Sequence, residues 1–364
     1  VKIPSTNYWL NQLVRTNGNL FVDKEDDFLW MRYGRFTTPR SYESQRFTYR
    51  LVQGFRGNFG TWDWDTGILV SEGTSRMMNH GRQSMTLLDA ALADSTPNAY
   101  NPFCAGIAPC NEDQFTVSIY RKNSSKLSLV DFKMSNPEVF NLPAGPVGVL
   151  VGAEIRKEQL EDLRDPRING TIQWNGGQGY PYVSEVANSS PSPDTFGDRS
   201  TTSLFAELQA PLLENLNSQI AFRYEDADDF GDTVVGKLAL GWDVHDRVKI
   251  RASTSTSFRA PNLVTVNEGL IARSNSRDDA LYAYALPNYN DAYSMIRVAQ
   301  GNPDLDAEES TSTSIGLVLS PIEGLIVTID QWKIEQEDTV GLLGEENHIL
   351  LDLVLRIQGG ATEC

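Results

Sequence analysis

The chain has 364 residues, 40% of them hydrophobic and 22% charged, with 31 Lys and Arg against 48 Asp and Glu for a net charge of −17. That balance argues against a nucleic-acid partner, because displacing counterions from phosphates takes a basic footprint. No stretch reaches the roughly 18 uninterrupted apolar residues of a membrane-crossing helix, and no basic-then-apolar leader follows Val1, which points to a processed chain or an internal piece.

In chain order, alternation with period two predicts strands at about 45–56, 61–71, 126–134 and 148–156, where Val149, Val151, Ala153 and Ile155 oppose Glu154 and Arg156. It continues at 204–212, 219–225 and 237–244, the last setting Leu238, Leu240, Trp242 and Val244 against Lys237 and Asp243. Strands at 247–258, 313–320 and 324–335 complete the series. The first of these sets Val248 and Ile250 against Lys249 and Arg251. Helical periodicity is nowhere comparable, so the chain reads as all-β. The last strand breaks the pattern, since Ile326, Trp332 and Ile334 fall opposite Leu325, Val327 and Ile329.

The connections are lopsided. Gly57–Gly60, Leu142–Pro146, Glu214–Asn217, His245–Asp246 and Ile322–Gly324 are short and rich in turn residues, whereas 72–125, 161–198, 259–308 and everything after 339 are long and polar. Asp226–Asp232 is the short member of the second set. A meander alternates its ends, so all tight turns share one rim and all long loops the other, as in transmembrane barrels. A soluble sandwich mixes loop lengths at both ends. Charged residues in mid-strand on the polar face suit a wetted lumen. Trp62, Trp64, Tyr224, Trp242, Phe258 and Trp332 stand toward strand ends, where an interfacial girdle would hold them.

Three cysteines are present. Cys104 and Cys110 are close enough to close a small loop in an oxidising compartment. Two unpaired thiols are the alternative, and a zinc site is disfavoured because His80, His245 and His348 lie far from both. Cys364, at the last position, has no evident partner in the sequence.

Two segments, Ser255–Asn262 (STSFRAPN) and Gly301–Ser310 (GNPDLDAEES), resemble the barrel domain of TonB-dependent outer-membrane receptors. In that family a strand ending in SFRAP runs into an extracellular loop, and a GNP segment opens the returning strand. Leu142–Glu154, Arg199–Leu212, Arg223–Trp242 and Gly324–Ile334 are similar to neighbouring strands of the same domain, in the same order. The resemblance implies an antiparallel meander forming part of a transmembrane β-barrel, about ten to twelve of about 22 strands. It implies residues 1–364 as a partial barrel domain, with the N-terminal plug, the TonB-contacting segment and the C-terminal strands outside it. It also implies a Gram-negative outer-membrane location, outer-membrane lipid and the TonB complex as partners, and uptake of a scarce ligand such as a siderophore, cobalamin or oligosaccharide. A passive porin-like channel and a soluble carbohydrate-binding β-sheet module are the alternatives.

Nothing in the sequence suggests an enzyme or a cofactor: there is no GxSxG elbow, P-loop or HExxH, and no Cys beside a His. Asp226, Asp228 and Gly231 open like an EF-hand loop, but Phe230 and Lys237 occupy ligand positions, so a solvated hairpin tip is the simpler reading. Ligand contacts are better sought in the long loops. Tyr282, Tyr284, Tyr289, Tyr293 and Arg297 in one, and Trp174, Tyr180 and Tyr182 in another, supply rings and polar groups for a polar organic ligand. The same aromatics would equally pack loop against loop.

Overall fold

The computed structural model describes residues 2–17, 28–30, 36–104, 109–176, 181–278, 292–342 and 344–358. Ten antiparallel strands form one sheet: β3 (Ser41–Phe59), β4 (Trp62–Gln83), β5 (Thr116–Leu142), β6 (Gly145–Arg164), β7 (Thr195–Leu213), β8 (Leu216–Ala227), β9 (Gly231–His245), β10 (Val248–Arg259), β13 (Glu308–Ile322) and β14 (Leu325–Glu337). Each pairs with its predecessor in that order, so the sheet is a simple meander whose outer strands, β3 and β14, do not pair with each other. The first pair of strands, β1 (Lys2–Pro4) with β2 (Phe28–Trp30), and the hairpin of β11 (Ile271–Asp278) with β12 (Ala292–Ala299), are separate. Among the described residues, four α-helices lie outside the sheet: α1 (Tyr8–Asn17), α2 (Met85–Ala93), α3 (Leu263–Asn267) and α4 (Glu345–Ile357).

Each predicted strand falls on one of these ten to within a residue, and the register confirms which residues share a face. Ile250 is opposite Trp242 and Leu317, Leu238 opposite Ile220, and Ala153 opposite Phe132 and Leu204. On the other face Arg156 is opposite Leu129 and Thr201, and Arg223 opposite Phe205 and Val235. The apolar face is open: Ile220 is 49% exposed, Leu238 44% and Leu240 37%. Among the described residues no second layer covers it: the strands of the sheet contact chiefly one another, with short helical segments at residues 263–267 against β7 and 112–114 against β5. Outward apolar positions run from Trp64 to Val70 on β4 and from Leu204 to Leu213 on β7, roughly 20–30 Å at about 3.3 Å per residue, which matches the lipid-facing band of a barrel. Trp332 falls outside the expected girdle, because its register with Ser314 puts it on the polar face.

The three longest strands run well past the predicted ones. β4 has 22 residues, β5 27 and β6 20, against about 9–11 needed to cross a bilayer. Much of the excess is at the long-loop rim and is polar on both faces, as in Ser71–Arg76 and Tyr120–Lys126. These residues satisfy their backbone by pairing with neighbouring strands, and they shorten the loops foreseen at 72–125 and 161–198 to 84–115 and 165–194. The three-residue turn between β8 and β9 shares the long-loop rim, and the other five tight turns lie on the opposite rim. Gly60 and Gly324 take φ of +62° and +81° there, backbone that favours glycine. Gly81 (φ +68°) sits in a β4 bulge where a Cβ would come within 2.2 Å of the Pro39 carbonyl oxygen, so a side chain is excluded.

The hydrophobic core lies in the loop layer above the sheet. Ile3, Leu10, Leu88, Leu92, Tyr100 and Phe115 close around one another, with Phe36 against them. Asn7, fully buried, holds this cluster together: its side-chain oxygen accepts from Leu10 N at 3.0 Å, and its amide donates to Leu92 O at 2.9 Å and Tyr100 O at 3.2 Å.

Candidate ligand-capture rim

Loop 84–115 and loop 165–194 are locked to each other at their bases. Ser84 caps α2 through Leu87 N and donates its hydroxyl to the buried carboxylate of Glu185, which also faces Arg167 at 3.2 Å. Met85 N donates to Glu185 O at 2.7 Å, and Arg82 donates to the Ala187 and Asn188 carbonyls and to Ser189 Oγ. Glu112 accepts from Thr37 N, Thr38 N and Thr38 Oγ1 at 2.7–2.8 Å, tying the chain ahead of β3 to the same layer. Burial pushes this carboxyl up, but the Thr37 and Thr38 hydrogen bonds outweigh it, so Glu112 lies below the ordinary carboxylate range. Burial, with the nearby Glu112 charge, pushes the Tyr100 phenol up to about 12. Cys104 and Cys110 form a disulfide in this loop, with Cα atoms 5.3 Å apart.

The two recognised motifs meet at a second anchorage. Arg259, which ends β10, is the register partner of Glu308, which begins β13, and the two side chains form an ion pair. Glu308 also accepts from Val340 N at 2.6 Å. Pro261 breaks the strand and Asn262 caps α3 through Thr265 N at 2.8 Å. The Pro261 carbonyl accepts from Arg199 at 2.6 Å, while Arg199 is bidentate to Asp229 and stacked 4.9 Å over Phe230. Arg199 is buried and joins β7, the β8–β9 turn and the loop after β10. Asp162, also buried, similarly joins Arg121 at 2.5 Å to Arg164 at 2.8 Å. Nothing in the sequence singled out Arg199 or Asp162, because Asp229, Pro261 and Arg121, with which they pair, are 30 to 62 residues away.

Below the mouth, the polar face carries a linked set of charges. Arg223 donates to Glu225 at 2.5 Å, Ser203 at 2.9 Å and Glu154 at 3.3 Å, and its guanidinium lies 5.5 Å over Phe205. Arg156 reaches Glu154 and Glu225, both at 3.5 Å. Such a wall needs water or a polar occupant on its open side, since charges taken fully out of water are costly even when paired.

Two of the loop aromatics are engaged with protein. Trp174 Nε1 donates to Asp89 of α2 at 2.5 Å, and Tyr182 donates its hydroxyl to Ile168 O at 2.7 Å with its ring against Gly170. Burial pushes the Tyr182 phenol up to about 12, so it stays a donor. Tyr293 and Arg297 lie on β12, paired in register with Arg277 and Arg273, and Arg297 is half-buried. Tyr180, Tyr282, Tyr284 and Tyr289 lie outside the described residues. Trp174 and Tyr182 are thus brought to one loop wall, and Tyr293 and Arg297 to a separate hairpin.

The family described as TonB dependent receptor-like, beta-barrel, matches residues 4–347. The ferric enterobactin receptor of Pseudomonas aeruginosa is 24% identical over 190 residues, 52% of this chain and 23% of that receptor. A solved structure of a mutant of the same receptor covers 81% of this chain and 35% of its own, at 19% identity and a TM-score of 0.48. The RagAB peptide transporter (82% and 30% covered, 11% identity, TM-score 0.47) and the siderophore receptor PirA of Acinetobacter baumannii (76% and 43%, 15%, 0.42) are also similar. The chain spans less than half the length of each of these relatives.

Proposed function

The chain belongs to the TonB-dependent receptor β-barrel family, and on that premise we propose that residues 1–364 are part of the wall and mouth of an outer-membrane receptor that takes up a scarce polar ligand. The observation that carries this reading is the uncovered apolar face of the sheet, set opposite a face of linked charges. Lipid is the solvent that accepts the first, and a water-filled lumen accepts the second. The complete receptor then supplies, outside these residues, the further strands that satisfy β3 and β14, a plug in the lumen and the segment through which the TonB complex delivers energy.

Ligand capture is assigned to the long-loop rim. Trp174, Tyr180 and Tyr182 in one loop segment, and Tyr282, Tyr284, Tyr289, Tyr293 and Arg297 in another, are the residues proposed to offer rings and donors to a siderophore-like or other polar organic ligand. The ferric enterobactin and siderophore receptors among the relatives favour an iron chelate over cobalamin or an oligosaccharide. The test is uptake of radiolabelled ferric chelates by cells with and without the full-length protein. Expected is accumulation that disappears when either this protein or TonB is removed. Accumulation independent of TonB, with a steady conductance in planar bilayers, would replace the reading with a passive channel.

A further inference from the structure

The polar face of β3 differs from the rest of the sheet. Its register with β4 places Arg46 opposite Ser75, Arg50 opposite Ser71 and Arg56 opposite Asp65, all on the polar face, while Phe47, Leu51 and Phe55 point the other way. Elsewhere on that face, cations in mid-strand meet carboxylates. Lys133 lies 3.3 Å from Asp65, Lys249 3.4 Å from Asp243 and Arg251 2.7 Å from Asp330, besides Arg156 and Arg223 with Glu154 and Glu225. Lys237 is an exception. Among the described residues none of Arg46, Arg50 and Arg56 has a carboxylate partner, and the one acid beside them in register, Asp65, is engaged by Lys133.

Like β14, β3 has one side with no neighbouring strand among the described residues. In the bilayer that edge must be paired, since unpaired N–H and C=O groups are not tolerated in hydrocarbon. We propose that the strand pairing with the free edge of β3 carries carboxylates on its lumen-facing side, in register with Arg46, Arg50 and Arg56. Opposite charges facing each other across strands stabilise the pairing and fix its register. β14 cannot be that strand. Its lumen-facing positions are Ile326, Thr328, Asp330, Trp332 and Ile334, and their one carboxylate is already bidentate to Arg251. The ten-stranded sheet is therefore not built to close on itself. This inference rests on the barrel-wall reading and adds the chemistry of the adjoining strand.

The test uses the full-length protein in detergent micelles. In Arg50→Lys, and separately in Arg46→Lys, the introduced amine is coupled to any touching carboxylate by a zero-length carbodiimide, and the joined peptides are sequenced by mass spectrometry. Expected is a link to an Asp or Glu in a segment of alternating polarity outside residues 1–364. In the unsubstituted protein, phenylglyoxal should modify Arg50 several-fold more slowly than the outward-facing, exposed Arg76, because a guanidinium held against a carboxylate of an adjoining strand is shielded from the reagent. A link to an acid within residues 1–364, a link to an acid in a segment without strand alternation, or no link together with equal modification of Arg50 and Arg76 would each overturn the proposal. Membrane partition of the same preparation tests the barrel-wall reading separately.

Discussion

Phe115 and Leu88 in the loop layer are sealed from solvent, at 0% and 1% exposure, whereas Phe222 and Leu204 in the sheet stand 53% exposed. The loop layer behaves like a small water-soluble domain. It gathers apolar side chains from residues 3, 10, 88, 92, 100 and 115, joins them through the buried Asn7 and adds a disulfide. The sheet inverts that order and keeps its polar groups together. One chain thus follows the same rule, apolar against apolar, in two different solvents, and the level on β4 and β5 at which outward residues turn from Ile68, Val70 and Val130 to Glu72, Lys126 and Ser128 marks where one solvent gives way to the other.

That contrast can be broken from either side. The largest effect is expected for Phe115→Ala, which should destabilise the loop layer by about 3–5 kcal/mol. Hydrogen exchange of the full-length protein should show α1 and α2 losing protection while β7–β10 keep theirs; equal loss in both regions would mean one shared core. Next is Leu238→Arg, at about 2–4 kcal/mol near the bilayer midplane, against Ala239→Arg one residue away on the polar face, within about 0.5 kcal/mol. Equilibrium unfolding in lipid vesicles measures both, and equal costs would remove the distinction between the faces.

Reducing the Cys104–Cys110 bridge should cost the loop layer about 2 kcal/mol, because the closed loop is short, and leave the sheet melting unchanged. The smallest effect is expected for Glu112→Gln, about 1.5 kcal/mol through the weakened bonds to Thr37 and Thr38. Because the folded-state pKa of Glu112 is depressed, its contribution is fully present above the unfolded value near 4.5 and is lost as pH falls through the lower folded value. Protection of residues 36–40 should therefore fade with acid in the unsubstituted protein and be flat with pH in Glu112→Gln.

The two regions also differed in how far the sequence disclosed them. The strands were legible because a sheet between lipid and water must alternate, and Leu238, Leu240 and Trp242 against Lys237 and Asp243 do so plainly. The upper halves of β4, β5 and β6 were missed because both their faces meet water, so nothing alternates, and their structure comes from pairing with neighbours. α2 was hidden for another reason. Met85–Ala93 is short and apolar nearly all round, and it is specified by Ile3, Leu10 and Asn7 some 80 residues earlier. The capture rim was legible only as composition: Tyr182 and Trp174 could be noticed as aromatics, but their partners Ile168 and Asp89 are set by how two loops dock.

The most direct test of the inside-out sheet is a nitroxide scan along β9 in the full-length protein reconstituted in bilayers, one label at a time from position 234 to 244, read by power saturation with oxygen and with a water-soluble nickel complex. Labels at Val234, Leu238, Leu240, Trp242 and Val244 should be relaxed by oxygen, and those at Val235, Lys237, Ala239, Gly241 and Asp243 by nickel, with a period of two residues. Labels at the even positions that neither reagent reaches would reveal protein packed over that face, and the membrane account would be wrong.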